Sequence, residues 1–215
     1  MNDRAIINML KEQIKTAVKI LKSGGIVVYP TDTAYGLAVD ATNELAVRKL
    51  YRLKGRDFKN PIHVIPPTKD WIEKLVRLDP LAKKMIDRFM PGPITFVLSL
   101  KARGKVWQLL SAGTKTLGIR RPKHKIALDL ATFLGRPITT TSANVSGHEN
   151  TYSVLAVREQ FEKSNAPAGP KPDFYLDGGK LKKTKPSTVV SILNNHVKII
   201  RLGPISEKEI KRVIK

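Results

Sequence analysis

Residues 116–147 read TLGIRRPKHKIALDLATFLGRPITTTSANVSG, and the alternation within this stretch decides the fold class. Residues 116–120 are short, apolar and typical of a strand. Residues 126–134 carry apolar side chains at helical spacing, and residues 137–141 again favour a strand. A helix set between two strands is typical of α/β proteins, in which helices cover the faces of a sheet. We therefore predict an α/β fold.

The same alternation continues on both sides of this stretch. We predict helices at residues 6–21, 45–53, 68–76, 79–89 and 154–161 and from 206, and strands at 26–29, 62–65, 94–100, 188–193 and 197–202. Residues 162–172 are crowded with Pro, Gly, Ala and Lys. We predict a plain connection there, and a mobile loop over a site is the alternative.

Helix ends and turns carry their own signals. Side chains that cap helix N-termini are predicted at Asn43, Thr68 and Asp79. The pair Asn194-Asn195 tolerates positive φ, so it predicts an antiparallel hairpin that closes the sheet. Ser206 and Glu209 have the spacing of a capping box and predict the start of a short last helix.

Composition limits the class of protein. A chain of 215 residues with 41% hydrophobic content can bury one substantial core, so we predict a single domain over residues 1–215. The chain has no cysteine, which excludes disulfides, thiolate metal sites and cysteine nucleophiles. No apolar run approaches the roughly 18 residues of a membrane span. A cytoplasmic protein without a membrane partner is therefore predicted.

The charge balance points to anionic partners. Lys and Arg number 39 against 18 Asp and Glu, which gives a formal net charge of +21. Such an excess attracts nucleotides and RNA, although it also serves solubility and by itself does not distinguish these roles. The basic residues are widely spread, with local concentrations at 101–125 and 180–185.

Several common nucleotide and metal motifs are missing. The chain has no GxxxxGK[ST] loop, no GxGxxG after a strand and no HExxH. Its four histidines are far apart in sequence, which argues against a dedicated zinc site. We therefore predict no protein metal centre, and any nucleotide chemistry must use another scaffold.

Four polar segments follow predicted strands or helices: PTDTAYGL at 30–37, KGRDFKNP at 54–61, RRPKH at 120–124 and TTTSANVSG at 139–147. In α/β proteins ligands collect where loops from distant parts of the chain converge at strand ends. Singly, each segment is explained by caps, turns and helix-end charges. Their joint occurrence predicts a binding site.

Together with PGPITFVL at 91–98, PSTVV at 186–190 and IIRLG at 199–203, these segments resemble the YrdC family in order, over residues 24–205. The combination of Lys54-Gly-Arg56 with Ser142-Ala-Asn144 resembles the family's hallmark. The resemblance implies a twisted, open, mixed sheet with flanking helices around a concave basic cavity. It also implies an enzyme that makes L-threonylcarbamoyladenylate and pyrophosphate from L-threonine, bicarbonate and ATP with Mg²⁺. A tRNA threonylcarbamoyl transferase complex would then use the adenylate.

The resemblance assigns roles by position. The implied catalytic residues are Lys54, Arg56, Ser142 and Asn144; the implied ATP contacts are Arg56, Asn60, Thr116, Ser142, Asn150 and Arg201; the implied threonine contacts are Thr33, Arg120, Thr140 and Ser187. Guanidinium groups suit carboxylate and phosphate because they bind both in a bidentate way, whereas a lysine supplies a mobile point charge. For Asp32, a capping or turn role and a contact to metal or amine both stay open.

Some positions depart from the family pattern, and two other functions stay open. Members often carry His where this chain has Ile65, while His63 lies two residues earlier on the same predicted strand face. Asn150, Met90 and Ser191 replace the more usual Ser, Trp and Asp. The main alternative function is a module that binds tRNA or double-stranded RNA without catalysis. A third is a regulatory factor that uses the domain as a ligand sensor.

Overall fold

The computed structural model of the chain describes residues 3–163 and 171–214. The helices in these ranges are α1 Asp3–Lys22, α2 Glu44–Lys54, α3 Asp70–Leu75, α4 Pro80–Phe89, α5 Lys105–Leu110, α6 Lys125–Leu134, α7 Val154–Lys163 and α8 Glu207–Ile214. The strands are β1 Val27–Tyr29, β2 Gly36–Ala38, β3 His63–Ile65, β4 Ile94–Ser99, β5 Thr116–Arg120, β6 Ile138–Ser142, β7 Phe174–Tyr175, β8 Thr188–Leu193 and β9 His196–Arg201.

The strands form one open, mixed sheet in the order β7-β1-β2-β6-β3-β5-β4-β8-β9. Three neighbouring pairs are parallel, namely β1 with β7, β3 with β5 and β4 with β8, and the others are antiparallel. The predicted α/β class and mixed sheet are thus confirmed. The two strands of the stretch 116–147, β5 and β6, are not neighbours in the sheet, because β3 lies between them.

Two hydrophobic clusters hold the sheet and its helices together. The smaller cluster joins buried residues of α1 and α6, such as Leu21 and Leu130, to Tyr29 and Ile65 of the sheet. The larger cluster joins α2 and α4 to strand residues such as Phe96. Burial of a large apolar side chain contributes about 1.5–3 kcal/mol, so these two clusters are the main source of stability.

Most of the predicted helix ends and turns are confirmed. The side chains of Asn43 and Asp79 accept bonds from Ala46 N and Ala82 N at the starts of α2 and α4. Asn194 and Asn195 have φ angles of 51° and 61° and connect β8 to β9 in the predicted hairpin. The capping box at the start of α8 forms in both directions.

Other predictions about the elements were wrong or incomplete. Thr68 is not the capping residue of α3, because the helix begins at Asp70 after Lys69, which makes no side-chain cap bond. The polar segment 30–37 contains the start of a strand that was not predicted, since Gly36 begins β2 and pairs with Tyr29. The short elements α5 and β7 were not predicted. Most of the segment 162–172 lies outside the described residues. Within those residues, no helix is both long enough and apolar enough to cross a membrane.

Candidate functional site

The four polar segments converge on one cavity of about 250 Å³. Its walls come from the loop after β1, the turn after α2, strand β3, the ends of β5 and β6, and the segments at each end of the β8–β9 hairpin. The lining residues are Thr31, Thr33, Ala34, Tyr35, Gly36, Arg56, Pro61, Ile62, His63, Arg120, Thr140, Thr141, Ser142, Asn150, Pro186, Ser187 and Arg201.

The cavity is strongly cationic. Arg56, Arg120 and Arg201 line it, and no Asp or Glu is among the described lining residues. Partial loss of hydration lowers the pKa of Arg56 and of Arg201, and the charge of Arg120 lowers that of Arg201 further. Crowded guanidinium groups in one cavity favour anionic ligands, because such ligands relieve the mutual repulsion.

Arg120 is held at the end of β5 by the loop after β1. Its Nη2 donates to Asp32 Oδ1 at 2.5 Å and to Thr33 Oγ1 at 2.8 Å. The second oxygen of Asp32 accepts from Lys123 N at 2.8 Å, which ties the carboxylate to the turn after β5. Arg120 is 9% exposed, and its Nε has no hydrogen-bond partner among the described residues. This donor is therefore buried and unsatisfied by the described residues.

Arg201 and Arg56 are oriented by backbone carbonyls. Arg201 donates from Nε and Nη2 to Ser187 O at 3.0 and 2.8 Å, and from Nη2 to Ser187 Oγ at 3.2 Å. Arg56 donates to Asn60 O at 3.2 Å and to Pro61 O at 2.9 Å. Because carbonyls fix the guanidinium groups without neutralising them, both arginines keep a full charge for a ligand.

Lys54 is buried and fully hydrogen-bonded, whereas the sequence suggested a mobile point charge at the site. It is 1% exposed and does not line the cavity. Its Nζ donates to Ser142 O at 2.5 Å, Asn144 O at 2.6 Å and Asn144 Oδ1 at 3.1 Å. An ammonium has three donors, so these bonds use them all. Burial, followed by the charge of Arg56, lowers the pKa of Lys54 to about 7.

Eight of the assigned residues lie together at the cavity: Thr33, Arg56, Arg120, Thr140, Ser142, Asn150, Ser187 and Arg201. Lys54 and Asn144 lie behind its wall, where Asn144 Oδ1 also accepts from Ser142 Oγ at 2.5 Å. The side chain of Asn60 is outside the lining set, although its carbonyl binds Arg56. Thr116 begins β5, four residues from Arg120, and does not line the cavity.

Tyr35 and His63 also line the cavity; Tyr35 was not singled out from the sequence, whereas His63 was noted as lying on the strand face of position 65, where it could partly substitute for the histidine missing there. The Tyr35 hydroxyl donates to Gly179 O at 2.7 Å and accepts from Gly178 N at 3.1 Å. Its pKa is raised to about 12, mainly by burial. The turn at Asp177-Gly-Gly, which binds this hydroxyl, is recognisable in the sequence. Because it lies more than 140 residues after Tyr35, the sequence does not indicate that the two are in contact.

His63 and Ile65 occupy different environments on one strand. The antiparallel register of β3 and β6 places His63 opposite Thr140 and Ile65 opposite Ile138. His63 therefore faces the cavity, whereas Ile65 is fully buried in the smaller core cluster. A polar contact from position 65 is thus absent, and the imidazole of this strand is supplied two residues earlier.

Comparisons with known proteins agree on one group. The Sua5, YciO and YrdC family, described as "Telomere recombination", matches residues 19–203. A putative threonylcarbamoyl-AMP synthase of Methanocaldococcus jannaschii is 36% identical over 211 residues, which cover 96% of this chain and 95% of that protein. The Pyrococcus abyssi threonylcarbamoyl-AMP synthase is 32% identical, and the match covers 94% of this chain and 57% of that longer protein.

Solved structures give the same result. The crystal structure of Pyrococcus abyssi Sua5 complexed with L-threonine has a TM-score of 0.84 and 32% identity, and covers 94% of this chain and 57% of that chain. Escherichia coli YciO has a TM-score of 0.78 and 28% identity, with 92% of both chains covered.

Proposed function

Because this chain belongs to the Sua5, YciO and YrdC family, we propose that it is a threonylcarbamoyl-AMP synthase. It makes L-threonylcarbamoyladenylate and pyrophosphate from L-threonine, bicarbonate and ATP. The observation that carries this proposal is the convergence of three arginines and a set of small hydroxyls on one cavity that lacks a lining acid within the described residues. All three substrates bring negative charge, and a related structure holds L-threonine.

The threonine subsite is proposed at the β5 and β6 ends of the cavity. Arg120 Nε has no partner among the described residues, Thr33 Oγ1 accepts from Arg120 Nη2, and Thr140 lines the same cavity. A guanidinium binds a carboxylate in a bidentate way, while the hydroxyls orient the ammonium and side-chain hydroxyl of the substrate. Ser187 completes the subsite from the start of the β8–β9 hairpin.

The triphosphate subsite is proposed along Arg56, Ser142, Asn150 and Arg201. The two arginines are held by carbonyls and keep their charge for phosphate oxygens. Lys54 acts behind this wall, because it fixes the turn that presents Ser142. We infer that the lysine contributes to ATP use by positioning, and that the arginines supply the direct electrostatic contacts.

The reaction needs charge stabilisation more than covalent help. The threonine nitrogen first joins bicarbonate, and the resulting carbamate oxygen attacks the α-phosphorus of ATP with pyrophosphate leaving in line. Phosphoryl and nucleotidyl groups transfer readily once they are positioned and their charge is balanced. Donors that are already oriented require little reorganisation as charge develops, and this stabilisation supplies most of the rate enhancement in many enzymes.

Magnesium is expected to arrive with ATP. Within residues 3–163 and 171–214, no three His, Asp or Glu side chains are grouped so as to hold a metal ion. Asp32 is already engaged by Arg120 and by Lys123 N. Magnesium commonly keeps several waters and binds substrate phosphates, so it needs few protein ligands. We therefore propose that ATP carries the ion to the site.

The adenylate is proposed to serve tRNA modification in the cytoplasm, through a tRNA threonylcarbamoyl transferase complex. The alternative of an RNA-binding module without catalysis is not favoured. A duplex cannot enter a cavity of about 250 Å³, and the oriented arginines lie in that cavity.

The decisive test is incubation of the purified protein with ATP, Mg²⁺, L-threonine and labelled bicarbonate. We expect a labelled adenylate that requires all three substrates. Arg56→Ala should remove most of this activity, whereas Arg48→Ala should keep it, since Arg48 lies exposed on the helix that precedes Arg56 and pairs with Glu44. A folded wild-type protein that makes no labelled adenylate would overturn the proposal.

A further inference from the structure

One titratable side chain of the cavity lining is neither permanently charged nor held by a hydrogen bond to another described residue. Among the described lining residues, the titratable groups are Tyr35, three arginines and His63. Arginine does not lose its proton in proteins, and the Tyr35 hydroxyl is occupied by the turn at 178–179. Outside the lining, Asp32 is engaged by Arg120, and Lys54 is enclosed by carbonyls. His63 is what remains.

The ring of His63 is held in place by packing, without a hydrogen bond to another described residue. A Cβ built on Gly118 would lie 2.6 Å from His63 Cγ and 2.9 Å from Nε2, so the imidazole packs directly on the glycine backbone. No hydrogen bond joins the ring to any described residue. Thr140, a proposed threonine contact, lies opposite it on β6. The ring nitrogens are thus free to bind a substrate at the threonine end of the cavity.

Among the described residues that line the cavity, every charged group is a cation, and the carboxylate of Asp32, which pairs with Arg120, lies outside this lining. Arg201 faces it from β9, Arg120 from β5 and Arg56 from the turn after α2, while β6 contributes the uncharged Thr140. Burial, followed by the charges of Arg201, Arg120 and Arg56 in that order, lowers the pKa of His63 to about 4. The imidazole is therefore neutral at physiological pH before substrates bind, and it can accept a hydrogen bond from an ammonium.

We propose that His63 is the general base that takes the proton from the threonine ammonium when its nitrogen attacks bicarbonate. This step rests on the proposed function. The ammonium gives one proton to the imidazole, and the free amine forms a C–N bond with the bicarbonate carbon. The C–OH bond breaks, and the leaving hydroxide takes a second proton from nitrogen and departs as water. The products are the N-carboxylate, water and imidazolium, so charge and atoms balance.

The surrounding arginines make this base dependent on substrate. With the cavity free of anions, three positive charges oppose protonation of the ring. Phosphate and carboxylate groups that pair with these arginines cancel the part of the lowering that the three charges cause, so the pKa of His63 rises, while the lowering by burial remains. His63 therefore becomes an effective proton acceptor only when the anionic substrates are in place.

The first test compares the pH dependence of adenylate formation in wild type and His63→Gln. Loss of a general base costs about 100-fold or more, so the variant should be slower by that factor at neutral pH. Its rate should recover as pH rises, because solution then supplies the free amine. The wild-type rate should fall as pH drops through the pKa of His63 in the substrate complex. Added imidazole should restore part of the rate of His63→Ala.

The outcomes separate the possible roles of His63. His196→Gln, at an exposed strand end, serves as the matched control and should behave as wild type. A His63→Gln variant with an unchanged rate would overturn the proposal. So would a slow variant with the wild-type pH profile and no rescue by imidazole, because that pattern means a structural role. Failure of wild type to form adenylate would instead count against the proposed function.

A second measurement needs no substitution at position 63. Histidine NMR titration of the wild-type protein should show a low pKa for His63 without substrates and a rise of more than one unit with ATP and threonine bound. The other histidine signals can be assigned by substituting His124, His148 and His196. A His63 signal whose pKa does not move on binding ATP and threonine would exclude the proton-transfer role, even if the variants at position 63 did not fold.

Discussion

At the scale of single residues, the cavity separates side chains that touch ligands from side chains that hold those contacts in place. Ser187 does both. Its carbonyl orients Arg201, and its hydroxyl lies 3.2 Å from Thr95 Oγ1 and faces the cavity. Ser187→Ala removes the contacts of the hydroxyl, including its 3.2 Å bond from Arg201 Nη2, and keeps the two bonds that Arg201 donates to the carbonyl.

We therefore expect Ser187→Ala to weaken L-threonine binding and leave ATP binding nearly unchanged. The lost bond to a charged substrate corresponds to about 1.5–3 kcal/mol. Isothermal titration with each substrate separately would measure this. An equal loss of affinity for threonine and ATP in a folded variant would show that the division into two subsites is wrong.

Lys54 is the clearest case of a residue that holds others in place. We expect Lys54→Met, which keeps the length of the side chain, to leave the carbonyls of Ser142 and Asn144 without this donor, while Asn144 Oδ1 keeps its bond from Ser142 Oγ. The free energy of unfolding should fall by about 1–3 kcal/mol, the cost of unsatisfied buried groups. Urea denaturation measures the stability, and hydrogen exchange at residues 142–144 reports the order of the turn.

The positioning role of Lys54 has a kinetic consequence that distinguishes it from a direct contact. In Lys54→Met, the rate of adenylate formation and the protection of residues 142–144 from hydrogen exchange should fall together. If the turn stays as protected as in wild type while the rate collapses, Lys54 instead contacts substrate during the reaction.

At the scale of elements, sequence patterns predicted the longer helices and strands well and the shortest ones poorly. Asn43 and Asp79 marked helix starts because one side chain satisfies a local backbone donor. Residues 174–175 form a strand only by pairing with β1, about 150 residues earlier, so no local signal exists. The segment at 36–38 was missed for a related reason, since Gly36 has low strand propensity and depends on Tyr29 and Ser142 for its pairing.

The β8–β9 turn offers a prediction at this scale. Both central residues have positive φ, and Asn-Gly is the preferred pair for such a turn. Asn195→Gly should therefore raise the free energy of unfolding slightly, and Asn195→Ala should lower it by about 1 kcal/mol. Thermal melting of the pair checks the opposite signs. The same sign for both substitutions would mean that the turn relaxes to another conformation.

At the scale of the whole molecule, the sequence could indicate that a site exists but not which side chains line its cavity. The polar segments were recognisable because each follows a predicted strand or helix. Which of their residues face the cavity depends on the three-dimensional packing: the sheet register places Thr140 opposite His63, and the end of α2 places Lys54 against the carbonyl of Asn144. Matching positions along a sequence carry no information on that distinction, so the roles assigned to Lys54 and Thr116, neither of which lines the cavity, stay predictions.

Salt dependence follows from the charge of the whole chain. The net charge of +21 should give weak RNA binding that falls steeply with salt, because counterions compete for the phosphates. L-threonine has no net charge and binds in a recess, so its affinity should change little between about 50 and 200 mM salt. Titrations with duplex RNA and with threonine at several salt concentrations compare the two. A threonine affinity that falls as steeply as the RNA affinity would contradict the recessed subsite.

The strand order has a consequence for how the protein emerges from the ribosome. The early hairpin of β1 and β2 is bordered by β7 and β6, which are made more than a hundred residues later. At ordinary synthesis rates its two edges therefore wait roughly 5–30 s before their partners exist. During that interval the nascent chain presents unpaired strand edges, the surface through which growing chains aggregate. Chaperone demand should accordingly peak before β6 is translated and disappear once Arg201 is released.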